Sequence, residues 1–88
     1  MAYLHMFLGE KRKVTAEITT ESTEPFVIHN PKYALLYAGK AEAEGDCTLT
    51  DNIVSCFIQP AKREKYILEF TVDIADEIIK KRELVDVE

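Results

Sequence analysis

The chain has 88 residues, 47% hydrophobic and 31% charged, with a formal net charge of -5. This length makes a single domain, residues 1–88, with room for only a modest core. The excess of acid leaves no surplus of Lys and Arg to displace counterions from a phosphate backbone, which argues against nucleic acid as a partner. No stretch approaches the ~18 apolar residues of a membrane-spanning helix.

Residues 3–8 read as a short strand ended at Gly9. This segment lacks the leading basic residues of a secretory signal, so a soluble protein made in the cytoplasm is expected. Val14, Ala16 and Ile18 alternate with Lys13, Thr15, Glu17 and Thr19, the pattern of a second strand with one wet face. Residues 20–25 form a polar loop, residues 26–29 a short apolar segment, and Asn30-Pro31 a turn signal. Residues 32–38 put Tyr33, Leu35 and Tyr37 on one face and Ala34, Leu36 and Ala38 on the other, which predicts a strand buried on both sides. Gly39 stops it. A weaker strand over 40–44 is closed by Gly45-Asp46.

Residues 47–58 predict a hairpin turning at Asp51-Asn52. In that register Thr50 faces Ile53, Leu49 faces Val54, Thr48 faces Ser55 and Cys47 faces Cys56. Cys47, Leu49, Val54, Cys56 and Ile58 then share one apolar face, an agreement that a one-residue slip would destroy.

After a charged turn over 60–64, Tyr66, Leu68, Phe70, Val72 and Ile74 alternate without a miss, the mark of a strand with one buried face. The predicted core is therefore Cys47, Leu49, Val54, Cys56, Ile58, Tyr66, Leu68, Phe70 and Val72. A turn at Asp76-Glu77 would pair Ile74 with Ile79 and Leu68 with Val85, but also Val72 with Lys81 and Phe70 with Glu83. A helix over 76–84 is the competing reading, but it has no apolar stripe. Burying charges unpaired is costly. The hairpin is thus expected to lie at an edge or to extend past the body of the fold, with Ile74, Ile78 and Ile79 as an exposed tip that carries the interface.

Seven to eight short strands with closely spaced turns predict an all-β, antiparallel, immunoglobulin-like β-sandwich, with a small β-barrel as the alternative. The chemistry-bearing residues do not assemble into a site. Cys47 and Cys56 read as small core residues, with a cross-strand disulfide left open for an oxidising setting. His5 and His29 stand alone, so no metal is expected. Glu42, Glu44, Asp46, Asp73, Asp76 and Glu77 lie beside turns or on wet faces, where none would be held protonated for acid catalysis. No phosphate loop, nucleophile elbow or zinc-protease motif is present. No enzyme activity and no cofactor are expected. Tyr33, Tyr37, Phe57 and Tyr66 could gather into an aromatic platform for a sugar or a protein.

Tyr66, Leu68, Phe70, Val72, Ile74, then Asp76, Glu77, then Val85 and Val87 resemble the closing hairpin of small immunoglobulin-like β-sandwich modules in phage tail and baseplate proteins. Gly45-Asp46 and the Asp51-Asn52 hairpin are similar to those modules as well. The resemblance implies a non-enzymatic structural or adaptor protein, acting in a virion through other protein subunits, as a homo-oligomer or with phage structural proteins. The alternative is a small ligand-binding module, with carbohydrate as the ligand.

Overall fold

A computed structural model describes residues 2–20 and 25–88. The expected polar loop over 20–25 falls largely on residues 21–24, outside the described residues. Eight strands follow in chain order among the described residues: β1 (Ala2–Met6), β2 (Arg12–Glu17), β3 (His29–Tyr37), β4 (Lys40–Asp46), β5 (Thr48–Thr50), β6 (Ile53–Ile58), β7 (Lys65–Ile74) and β8 (Glu77–Val87). They form two sheets, ordered β1-β8-β7-β3-β4 and β2-β6-β5. The fold is an all-β sandwich with the immunoglobulin-like strand order, in which the second, sixth and fifth strands face the eighth, seventh, third and fourth. The sheets stay separate, so the barrel alternative does not apply. One pairing is parallel: β1 runs beside β8, Ala2 opposite Glu83 through Met6 opposite Val87. No helix among the described residues is long and apolar enough to cross a membrane.

Period-two patterning builds the core. The inward residues of β7 (Tyr66, Leu68, Phe70, Val72 and Ile74) are all buried, as are Val54, Cys56 and Ile58 of β6 and Val14 and Ala16 of β2. Met6, Leu35, Val85 and Val87 complete the large-sheet side. Each fully buried large apolar side chain stabilises the fold by roughly 1.5–3 kcal/mol relative to its exposed state.

The two hairpins at the C-terminal end differ from one another. In the β5–β6 hairpin the register is Thr48 with Ser55, Leu49 with Val54 and Thr50 with Ile53, as the turn chemistry predicts. Asp51 takes a left-handed φ of 55°, and Asn52 anchors the turn to the end of β2: its backbone carbonyl accepts from Ile18 N at 2.8 Å and its side chain donates to Ile18 O at 3.2 Å. Leu49 corrects the predicted core. It points inward, but β5 has only three residues and is the edge strand of its sheet, so Leu49 stays 39% exposed.

In the β7–β8 hairpin the turn is Ala75-Asp76, not Asp76-Glu77. Ile74 pairs with Glu77, Val72 with Ile79, Phe70 with Lys81, Leu68 with Glu83 and Tyr66 with Val85. The strand reading over 76–84 holds, with the register moved by two residues. The hairpin does not carry its tip away from the core: Ile74 is buried, Ile79 is part-buried against it, and only Ile78 is open. Lys81 reaches across to donate to Glu17 O at 3.1 Å, whereas Glu83 is buried on the inner face, where desolvation disfavours its charge.

Two turn readings in the N-terminal half also change, and a third, at Gly39, holds. Asn30-Pro31 lies inside β3, at a register shift between His29 and Lys32 where Asn30 takes φ 50°. The β3–β4 turn is Ala38-Gly39, closed by Tyr37 opposite Lys40. Gly45 does not end a strand: it sits within β4, opposite Tyr33, where an added Cβ would come within 3.2 Å of the Tyr33 ring. The chain changes sheets just after it, at Cys47, whose backbone N–H still bonds Pro31 O of the large sheet at 2.9 Å.

Candidate functional site

Strand alternation turns one set of side chains on each sheet away from the core, and the registers align these sets into rows. On the outer face of the five-stranded sheet, Tyr3 pairs with Leu84, Leu84 with Ile67, Ile67 with Leu36, and Leu36 with Ala41. This is one unbroken apolar row over all five strands, about 19 Å long at ~4.8 Å per strand spacing. Tyr3 is 61% and Leu84 38% exposed, Ala41 is exposed, and Ile67 and Leu36 are part-buried by their neighbours.

Charged rows lie on both sides of it. On one side Arg82 pairs with Glu69, and Glu69 with Ala34, which pairs with Glu44. Glu69 is only 8% exposed, and it is clamped: Arg82 Nε donates to Oε2 at 2.7 Å and Lys80 Nζ to Oε1 at 3.0 Å. The hydrogen bonds from Lys80 and Arg82 hold its carboxyl below the usual carboxylate range, against the opposing effect of burial. The small Ala34 leaves a shallow depression of about 450 Å³ between Glu69 and Glu44. On the other side of the row Lys65 pairs with Asp86, and Asp86 with His5. The Tyr3 hydroxyl donates to Asp86 Oδ2 at 2.6 Å, which raises the phenol above its usual range and fixes the ring at the end of the row.

The outer face of the small sheet is different. Thr15, Ser55 and Thr48 form a hydroxyl row, with Glu17, Ile53 and Thr50 on one side of it. On the other side Lys13 pairs with Phe57, which is 57% exposed and has the Lys11 ammonium 5.5 Å from its ring centre. Phe57, Lys11, Ser55, Thr48, Asp46 and Tyr33 border a second depression of about 330 Å³ at the seam between the sheets.

The residues singled out from the sequence do not meet in one place. Of the predicted interface, Ile74 is core, Ile79 is half-covered, and Ile78 alone is exposed. Their tip is not a patch: Ile74 lies on the inward face of β7, Ile79 pairs with buried Val72, and Ile78 alone turns to solvent. The aromatics do not form a platform either. Tyr66 is buried with its hydroxyl donating to Glu42 Oε1 at 2.8 Å, and burial pushes its pKa up to about 12. Tyr37 packs beside it at 5.7 Å, and Tyr33 covers Gly45, so Phe57 alone of the four stands in solvent.

Cys47 and Cys56 are free thiols, part-buried and buried. They lie one step beyond the Thr48–Ser55 pair and hydrogen-bond to one another. Burial pushes Cys56 to about 12 and Cys47 to about 11, the latter opposed by the hydrogen bond from Cys56. Neither is an activated nucleophile at neutral pH. Among the described residues no group of three or more His, Cys, Asp or Glu could hold a metal ion. The apolar row itself was missed. Its members come from five strands, and only the cross-strand registers reveal it.

No protein-family model matches the sequence, and no curated protein matches it closely. Among solved structures the chain is similar to a crystal structure from Bacteroides vulgatus ATCC 8482 named as a "putative glycoside hydrolase". The TM-score is 0.59 at 11% identity, over 97% of this chain and 16% of that one. The likeness concerns the fold alone: this chain spans about a sixth of that protein.

Proposed function

We propose that this domain is a non-catalytic structural or adaptor module that works by protein–protein contact through the outer face of its five-stranded sheet. The observation that carries the reading is the apolar row from Tyr3 to Ala41. Single exposed apolar side chains are ordinary. Five in register, framed on both sides by charge, have the composition of an interface centre with its polar rim. The complementary partner is a folded protein with a flat apolar surface. The resemblance of the closing hairpin to phage tail and baseplate modules favours a virion as the setting.

The test is a photo-crosslinking residue placed at position 84 or at position 57 in the producing cell. A discrete protein adduct from position 84 and none from position 57 is expected. Adducts from position 57 alone, or from neither, would contradict the reading.

One observation favours a second reading, a carbohydrate-binding module: the exposed Phe57 ring beside a depression lined by hydroxyls, Lys11 and Asp46. Rings of this kind stack on sugars, and the fold likeness is to a protein whose name concerns glycoside hydrolysis. Calorimetry against a panel of oligosaccharides, repeated with Phe57→Ala, separates the two. Binding that is lost with the ring would favour the sugar, and no heat from any glycan would dismiss it.

A further inference from the structure

We infer that the partner on this face is a second copy of the same chain, related by a two-fold axis that runs along the apolar row. The inference rests on the docking-face reading above and adds the identity and geometry of the occupant. It follows from the signs of the charges in the flanking rows.

On β7 and β8 the row consists of Ile67 and Leu84. Two residues to one side lie Glu69 and Arg82, and two residues to the other lie Lys65 and Asp86. In each flanking row one charge is positive and one negative, and the order reverses from one row to the other. Two copies can meet face to face only about an axis lying in the plane between them. An axis perpendicular to the row keeps all five strands covered only if it passes through the central strand; it then reverses the strand order and lays β7 on the partner's β7 with rows unchanged. Lys65 would meet Lys65, a repulsive contact, and Glu69, already clamped by Lys80 and Arg82, would gain no cation. An axis along the row keeps each strand over its own copy and exchanges the two flanking rows. Arg82 then meets the second copy's Asp86, a contact made twice, and Lys65 lies over its Glu69 row and no longer over Lys65. Leu84 meets Leu84 and Ile67 meets Ile67, so the apolar row closes on itself.

This arrangement fits sheet physics. The axis reverses strand direction between the copies, which gives the aligned face-to-face packing of two sheets ~10 Å apart. Arg82 is long enough to serve both carboxylates, since its side chain remains 54% exposed while it holds Glu69. The charges thereby select one register over the other, the usual role of charge at an interface. Five strands by three rows cover on the order of 500 Å² per copy, below the ~800 Å² of a standard stable interface. A weak, reversible dimer is therefore expected, with a Kd of about 10–100 µM.

Sedimentation of the full chain across that concentration range tests the inference with two charge variants, Arg82→Glu and Asp86→Lys. Each alone places like charges in both exchanged contacts and should weaken self-association about tenfold or more. Mixed together, the two variants form a heterodimer in which the two substituted side chains meet with opposite charge. The unsubstituted Asp86 of one copy then meets the unsubstituted Arg82 of the other, and association should return to near the wild-type level. A mixture that associates no better than either variant alone would overturn the inference, as would a wild-type chain that is monomeric throughout. In the second case an adduct of another protein from position 84 would leave the docking-face reading standing, whereas no adduct would remove both. Far-ultraviolet circular dichroism checks that each variant folds. Should Arg82→Glu unfold through its proximity to Glu69, Leu84→Cys with a short bis-maleimide gives an independent answer. The two-fold along the row links position 84 to its own copy. An axis across the row would link it instead to a cysteine introduced at position 36, and that product would contradict the inference.

Discussion

The two sheets share a core but differ in what they turn outward. The five-stranded sheet contributes the largest fully buried side chains, Tyr66, Phe70, Met6, Leu35 and Leu68, and its outer face is an apolar row between two charged rows. The three-stranded sheet contributes smaller ones, Val14, Ala16, Val54, Cys56 and Ile58, and its outer face is mostly hydroxyls and charge around Phe57. The same alternation produces both, so alternation does not distinguish a face that rests in water from one that seeks a partner. What distinguishes them is whether apolar residues of successive strands fall in the same row.

The comparison is sharpest inside the sandwich. Phe70→Ala, on the central strand of the large sheet, should cost about 3–5 kcal/mol in denaturant unfolding. Leu49→Ala, at the open edge of the small sheet, should cost under about 1 kcal/mol because its side chain is already partly in water. Equal costs would mean that the small sheet bears as much of the core as the large one.

On the outer faces the contrast should appear in association and not in stability. Leu84→Lys should abolish concentration-dependent sedimentation, and Phe57→Ala should leave it unchanged. Both variants should melt within about 0.5 kcal/mol of the wild type, as surface substitutions do.

The two buried glutamates of the large sheet give opposite dependences on pH. Glu69, on the outer face, has its folded pKa lowered by Lys80 and Arg82, so its ionised form stabilises the fold above the unfolded pKa, and this is lost as pH falls through the folded value. Glu83, on the inner face, has its pKa raised by desolvation, with Lys81 opposing. Its contribution is fully present below the unfolded pKa of about 4.3 and is lost as pH rises through the folded value. Glu69→Gln should therefore lower Tm at pH 7 and Glu83→Gln should raise it. Both differences should vanish in acid, Glu83→Gln below about pH 4 and Glu69→Gln only at still lower pH. Shifts of the same sign at pH 7 would refute this assignment of the two faces.

The smallest effect concerns a turn. Ala75 takes φ 52°, a conformation that costs an L-residue with a Cβ roughly 1–2 kcal/mol. Ala75→Gly should stabilise the chain by up to about 1 kcal/mol, after the added entropy of the unfolded glycine is subtracted. A loss of stability would show that the turn is not strained at that residue.

That alanine also explains what the sequence concealed. The Asp51-Asn52 turn announces itself chemically, and its register follows residue for residue. Ala75 carries no turn signal, and a two-residue shift leaves every side chain on its own face, so alternation could not detect it. The same limit applies to Gly45, which sits within a strand to admit the Tyr33 ring, and to Asn30-Pro31, which marks an irregularity inside β3 and not a turn. The class of the fold, two packed sheets, and the burial of Val54, Cys56, Ile58, Tyr66, Leu68, Phe70 and Val72 were legible because they depend only on local pattern. The apolar row was not. It joins residues 3, 36, 41, 67 and 84, whose adjacency exists only once β1 pairs with β8 and β3 with β7.

The most direct measurement is a dilution series of amide chemical shifts on the full chain, from a few hundred micromolar to a few micromolar. Concentration-dependent shifts should gather at Tyr3, Leu36, Ile67, Arg82, Leu84 and Asp86, with Thr15, Ser55 and Phe57 unmoved. Shifts confined to the small sheet, or a spectrum unchanged over the whole range, would contradict the claim that the outer face of the five-stranded sheet is where this protein meets its own copy.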